Sequence, residues 1–330
     1  MSKLHVRPHA AESDGTVINV TPASAGWSHV GFRLVRLAEG QRCSGGEPDR
    51  EACLVLVTGR ADVTAGDEAF PRLGGRATPF EDRAPGAVYV PAGTAWSVTA
   101  SGGDVELAIC TAPGSGSETG TPRVIDDARM PREVRGTGTN TRHVRNILPE
   151  TEPAESLLVV EVVTPGGNWS SYPPHKHDEH NDVERILEEI YYYEIRPGRD
   201  GSKGMALQRI YPSPGKPIDV CTEVASRDVV IMPYGYHGPS VAAPGYDLYY
   251  LNVMSGPAED STWLMTDDPH YTWIRETWDD SEVDQPHADV DVHLVHRPRR
   301  AEHGDRRRRR HDQPAAGAAV PVGPVLHPHP

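Results

Sequence analysis

Apolar positions along this chain come in short Val, Ile, Leu and Tyr runs broken by glycine and proline, without the three-to-four spacing of amphipathic helices. From residue 16 to 113, the runs Val30-Gly-Phe-Arg-Leu-Val-Arg-Leu, Ala52-Cys-Leu-Val-Leu-Val, Arg60-Ala-Asp-Val-Thr and Ala87-Val-Tyr-Val alternate with glycine-rich turns, which predicts a small β-barrel. Residues 114–140 are rich in Gly, Ser and Thr and read as a connecting segment on the surface. Strand-like runs resume at Arg142-His-Val-Arg-Asn-Ile-Leu. Leu157-Leu-Val-Val-Glu-Val-Val follows, its unbroken apolar character predicting a buried strand. Within it, Glu161 needs a partner or a function, because an unpaired buried carboxylate is costly. Asp228-Val-Val-Ile-Met and Asp247-Leu-Tyr-Tyr-Leu-Asn-Val-Met are further strands, and 269–278 is a short helix or a strap.

Composition agrees with this reading. Thirty-two glycines and 31 prolines in 330 residues suit an all-β chain with many turns, long enough for two domains. Four cysteines, Cys43, Cys53, Cys110 and Cys221, form no C-x-x-C pair and read as reduced thiols. With no apolar run of membrane-spanning length and no signal-peptide pattern, the expected location is the cytoplasm. The net charge of −14 is unevenly spread. Residues 297–330 carry eight arginines against Glu302, Asp305 and Asp312, a net +5, leaving −19 on residues 1–296. An acidic body argues against nucleic-acid binding. The segment 286–330, with its arginine run at 306–310, reads as a solvated tail, and residues 1–14 as a frayed polar lead.

The chemistry concentrates in Ser171-Tyr-Pro-Pro-His175-Lys-His177-Asp-Glu. On a strand, His175 and His177 project from one face and can reach one ion. A carboxylate from Leu187-Glu-Glu189-Ile-Tyr-Tyr-Tyr and the imidazole of Met232-Pro-Tyr-Gly-Tyr-His237 complete an N/O set suited to one divalent transition metal such as Zn, Mn or Fe. If Arg209 points inward, its guanidinium suits a substrate carboxylate, with Gln208 on the opposite face and Lys176, between the two histidines, ranked lower. Tyr249 and Tyr250 face opposite ways, so one of them enters the pocket. Glu188, Glu161 and Tyr250 are the candidates for proton transfer. His143 reads as a substrate contact or equally as an ordinary solvated residue, and His270 reads as structural or as part of the site's rim.

The set Gly167, His175-x-His177, Glu189, Pro197-Gly198, then Pro233-x-Gly235-x-His237 and Asn252, resembles the two motifs of the cupin superfamily. The wording Pro174-His-Lys-His-Asp-Glu, Leu187-Glu-Glu-Ile-Tyr-Tyr, Gln208-Arg-Ile-Tyr and Gly245-Tyr-Asp-Leu-Tyr-Tyr-Leu-Asn-Val-Met-Ser-Gly-Pro is similar to the uronate isomerase family within it, nearest to the 5-deoxy-glucuronate isomerases of myo-inositol catabolism. The gap between His177 and Glu189 is longer than is usual for cupins and reads as a loop at the barrel mouth. It leaves Glu188 or Glu189 as the ligand, and the resemblance selects Glu189.

The resemblance implies a bicupin, two double-stranded β-helix (jelly-roll) barrels at 15–113 and 141–285. Pro91-Ala-Gly-Thr-Ala-Trp96 matches the second motif with tryptophan in the histidine position, and no His-x-His precedes Glu51, so the first barrel is expected to lack a metal site. The implied activity is metal-assisted conversion of the aldose 5-deoxy-D-glucuronate to the ketose 5-dehydro-2-deoxy-D-gluconate through an enediolate, on a small-molecule substrate, in a chain expected to self-associate. Rival readings are a 4-deoxy-5-ketouronate ketol-isomerase of pectin breakdown, a non-enzymic sugar-binding cupin and an iron-dependent cupin dioxygenase.

Overall fold

A computed structural model describes residues 3–116, 120–258 and 262–278. Among these, strands dominate and close into two barrels. In the first, one layer runs Arg123–Val124, Gly86–Val90, Arg50–Ala65, Val105–Pro113, Gly31–Leu37, Thr16–Val20 in spatial order. The second layer is built from Arg42–Gly45, Trp96–Ala100 and Glu68–Arg76 against the far half of Arg50–Ala65. That strand merges two runs that read as separate in the sequence. Gly59 (φ 84°) lies at a register shift within it, where Cβ would sit 2.3 Å from the Asp104 carbonyl oxygen.

The second barrel repeats the plan. Its larger sheet is ordered His5–Val6, Val229–Met232, Glu188–Ile195, Leu248–Ser255, Leu158–Thr164, Arg142–Leu148, Arg132–Arg135. Facing it are Val220–Val224, Ala206–Tyr211, Tyr236–Ala242, His175–Lys176 and Thr266–Asp267. Two local expectations are corrected. The N-terminal lead is not frayed at its strand: His5 and Val6 pair with Val230 and Val229, and the His5 imidazole bonds Asp228 at 2.8 Å. The connecting segment is partly strand, contributing Arg123–Val124 to one barrel and Arg132–Arg135 to the other. The 269–278 strap contains a 3-10 turn at Thr272–Thr277. The 286–330 tail, with its arginine run, lies outside the described residues.

Three apolar clusters explain the unbroken runs. Leu54, Leu56, Val88, Val98 and Leu107 fill the first barrel, and Val160, Val162, Tyr191, Tyr193 and Tyr250 pack in the second. Between them a third cluster joins Cys53, Val55, Phe32 and Tyr89 to Ile190, Tyr192, Tyr249 and Leu251, with Phe32 stacked on Tyr192 at 5.8 Å. The two larger sheets therefore lie back to back, and their central strands are buried on both faces, which removes polar alternation from the sequence. At this seam each barrel lends the other a carboxylate. Glu51 accepts the backbone amides of Glu155, Ser156 and Leu157 at 2.7–2.9 Å, and Glu188 accepts those of Ser28, His29 and Val30 at 2.8–2.9 Å. Both sets of amides stand at the entrance to a strand, where unpaired N–H groups would otherwise be buried. All four cysteines are free, three of them buried. Among the described residues no helix is long and apolar enough to cross a membrane.

Candidate active site and metal centre

The strand His175–Lys176 begins just after a sharp turn at Ser171, one of three non-glycine residues with positive φ (48°) among the described residues. The turn is locked from the neighbouring strand by Gly238 (φ 103°), where a Cβ would sit 1.9 Å from the Ser171 carbonyl oxygen. This fit sets His175 directly opposite His237 in the sheet. His177, two residues on, points the same way, and its Nδ1 donates to the Leu187 carbonyl at 2.8 Å, which turns Nε2 inward. From the larger sheet Glu189 enters between them, its Oε2 2.9 Å from His177 Nε2 and 2.8 Å from His237 Nε2.

All four side chains are buried, and the ligand atoms of the three histidines lie within 4.8 Å of one another. Burial pushes the Glu189 carboxyl up, but the adjacent His237 and His177 override this and hold it well below the usual range. His175 is driven well below its ordinary value by burial, aided by His237. His177 is pushed down by burial, yet ends up raised because it bonds Glu189. Glu189 Oε1 is buried with no hydrogen-bond partner, and His237 Nε2, though 2.8 Å from Glu189 Oε2, is not in hydrogen-bond geometry with it. Orphaned acceptors among converging imidazoles and a carboxylate are what a cation would satisfy, so the donor set fits a metal ion.

Beside His175 opens a cavity of about 160 Å³ lined by Arg135, Arg142, Arg275, Ser171, Tyr191, Tyr250, Asn252, Trp263 and Trp278, with Val144, Val162 and Met265. It is rich in cations and hydroxyls, and among the described residues no carboxylate lines it. Arg142 lies at the entrance of its strand, over the Trp278 ring at 5.2 Å, and burial lowers its guanidinium to about 10. Tyr250 stacks on Tyr191 at 4.3 Å, and its hydroxyl meets Ser170 Oγ at 2.7 Å and Ser171 Oγ at 3.4 Å. Burial raises both phenols. Asn252 Oδ1 is buried there without a partner.

Tyr250 is thus the strand tyrosine that enters the pocket, while Tyr249 turns into the seam between the barrels. The remaining assignments change. Glu188 faces the opposite side of its strand from Glu189 and is held by three amides of the first barrel, which removes it as a base. Glu161 is clamped between the barrels by Arg76 (3.2 and 2.9 Å) and Arg145 (2.7 Å), so its carboxyl, raised by burial, is brought below normal by the two guanidiniums. Arg209 faces outward and pairs with Asp219. Gln208 is on the inner face, accepting from Tyr193 Oη at 2.7 Å, but does not line the cavity. Lys176 points away from the histidines and pairs with Asp178 (3.0 Å) and Glu184 (2.9 Å). His270 bonds Asp268, and His143 does not line the cavity. Sequence reasoning missed Arg142 and Arg275, and it named Asn252 only as a motif residue. The signal for Arg142 was its alternation with apolar Val144, which puts both on the inner face.

The KduI/IolB family matches residues 4–274. The chain is similar to the 5-deoxy-glucuronate isomerase of Geobacillus kaustophilus strain HTA426, 47% identical over 278 residues, covering 84% of this chain and 97% of the relative. The Bacillus subtilis strain 168 protein of the same description is 40% identical over 282 residues, covering 84% and 100%. A crystal structure of an IolB-like protein from Salmonella typhimurium LT2 superposes with a TM-score of 0.76 at 41% identity, covering 83% of this chain and 99% of that one. Oxalate decarboxylase from Bacillus subtilis shares the fold alone, with a TM-score of 0.53 at 15% identity over 81% of this chain and 78% of its own.

Proposed function

The chain belongs to the KduI/IolB family, and from that membership we propose that it is an aldose-ketose isomerase converting 5-deoxy-D-glucuronate to 5-dehydro-2-deoxy-D-gluconate, as its curated relatives are named. The observation that carries the reading is the buried His175, His177, His237 and Glu189 cluster opening onto an arginine-lined cavity. The pectin-breakdown reading is not favoured, because these relatives match across 97–100% of their own length under the 5-deoxy-glucuronate name.

A divalent transition ion held by those four residues would supply Lewis-acid polarisation of a carbonyl and its neighbouring hydroxyl. The chain's own residues do the rest. Arg142, with Arg275 at the strap, takes the carboxylate in place of Arg209. Asn252 Oδ1 accepts a sugar hydroxyl, and Trp263 and Trp278 keep water from the reacting carbons. The Tyr250 phenol, kept protonated by burial, donates to the oxygen that gains charge, with Ser170 and Ser171 holding its hydroxyl. In the same reading, residues 15–113 form a barrel without metal, the barrel of residues 141–285 carries the site, and the protein works on a small-molecule substrate in the cytoplasm.

The test is isomerase activity on 5-deoxy-glucuronate before and after chelation, with metal content measured on the same sample. Activity should disappear with the metal and return when it is restored, and His177→Ala should bind none. Full activity in chelated, metal-free protein would sink the assignment, and turnover of 4-deoxy-5-ketouronate in its place would favour the pectin enzyme.

A further inference from the structure

The two carboxylate clamps fix a correspondence between the barrels. Glu51 and Glu188 make the same three-amide contact, so Ala52 stands where Glu189 stands. Gly45 pairs with Trp96 across its sheet as His175 pairs with His237, and Glu47 follows Gly45 by two residues as His177 follows His175. The four ligand positions of the first barrel are therefore Gly45, Glu47, Ala52 and Trp96. That set cannot hold a transition metal, yet the space has not been filled in. All four line a cavity of about 340 Å³, larger than the one beside His175.

Its lining has a definite chemistry. The Trp96 indole lies against the backbone of Gly45, where a Cβ would meet the ring at 2.5 Å, and offers an aromatic wall flanked by the apolar Ile109. Two guanidiniums line the same cavity. Arg33 has its Cζ 5.9 Å from the Trp96 ring centre, with Asp14 3.6 Å away on the solvent side. Arg50 is half-buried and held rigid, with Nε on the Thr111 hydroxyl at 3.3 Å and Nη2 on the carbonyls of Thr111 and His29. Glu47 approaches Arg50 only at 3.9 Å and is mostly exposed. Asn19, Thr21, Thr94 and Thr111 add neutral polar groups around the rim. An aromatic wall suits the C–H face of a sugar ring, fixed guanidiniums suit a carboxylate, and hydroxyls and amides suit sugar hydroxyls.

We propose that the first barrel is a second, metal-free binding site for an acidic monosaccharide of the uronate or aldonate class. This does not depend on the isomerase reading, because no residue of the metal centre takes part.

The experiment is isothermal titration of the full chain with D-glucuronate, with D-glucose as the neutral counterpart. Two molecules of D-glucuronate should bind per chain, and one should remain in Arg142→Met, which disables the cavity beside His175. Ala52→Leu, which narrows the first-barrel cavity, and Arg33→Met, which removes a surface-side cation, should each weaken the remaining event at least about tenfold while kcat on 5-deoxy-glucuronate stays at the wild-type value. D-glucose should bind this site at least about tenfold more weakly. A stoichiometry of one in the wild type, or loss of all millimolar binding in Arg142→Met whose circular dichroism is native, would overturn the proposal. Equal binding of D-glucose would overturn the acidic class.

Discussion

Arg142 and Arg209 are both arginines on strands of the second barrel, and their opposite fates turn on which face of each strand is inside. In Ala206–Tyr211 the inner positions are Ala206, Gln208 and Ile210, so Arg209 is left at the surface with Asp219. In Arg142–Leu148 they are Arg142 and Val144, which line the cavity. Replacing Arg142 by Met should raise KM for 5-deoxy-glucuronate roughly 10- to 100-fold, from loss of a charge-assisted contact of about 1.5–3 kcal/mol, while Arg209→Met should leave KM within about twofold. Steady-state kinetics decides, and an unchanged KM in Arg142→Met would remove it as the anchor. The metal-ligand pattern was legible because a period of two fixes His175 and His177 on one face whatever the surroundings. The anchor was not, because the alternation of Arg142 with Val144 marks an inner face but nothing local says that this face opens on the cavity.

At the scale of elements, the polar insert after His177 reads as a mouth loop, and the structure shows what restrains it. Lys176 grips Asp178 and Glu184 from behind the metal centre, and Asp178 also accepts from Ser213 Oγ at 2.5 Å and the Gly235 amide at 2.9 Å. Burial works against the Asp178 charge, but the Ser213 hydroxyl, the Gly235 amide and Lys176 bring its carboxyl down to about 2. One carboxylate thus ties the His-x-His strand to the turn that presents His237. Pairing of this kind is invisible to local pattern, since its partners are far apart in sequence. The Gly238 contact with Ser171 belongs to the same junction. Gly238→Ala should cost about 3 kcal/mol of stability and lower metal bound per chain, read by denaturant unfolding and metal analysis. A stable, fully loaded variant would show that the junction tolerates displacement.

For the whole molecule, the resemblance in the motif wording was enough to foresee two barrels, but not how they meet. Strands buried on both faces carry no alternation to mark the seam, and His5–Val6 is too short to declare itself as the edge of a distant sheet. The seam also holds a carboxyl pair. Glu106 of the first barrel and Glu194 of the second share the Tyr192 hydroxyl, at 3.0 and 2.6 Å, with Arg227 bidentate on Glu106. Burial and then Glu106 raise Glu194 to about 7. A carboxyl whose folded value is raised adds stability that is full below its unfolded value, near 4.5, and is lost as pH rises through about 7. Between about pH 5.5 and about pH 8.5 the chain should therefore lose ~2 kcal/mol of unfolding free energy from this group, and Glu194→Gln should flatten the loss. Denaturant titrations at about pH 5.5 and about pH 8.5 measure it. An equal slope in the variant would assign the loss to other groups.

The exchanged carboxylates Glu51 and Glu188 also bear on how the chain is made. A ribosome delivers the first barrel complete in its strands, but Glu51 must wait for amides 104 to 106 residues downstream, and the amides of residues 28–30 for a carboxylate 158 to 160 residues later. Until then the first barrel carries both the bare amides of residues 28–30 and a Glu51 carboxylate held only by the Tyr89 hydroxyl. The nascent first barrel is thus held short of its final state, and the two halves mature in a single step when the second emerges.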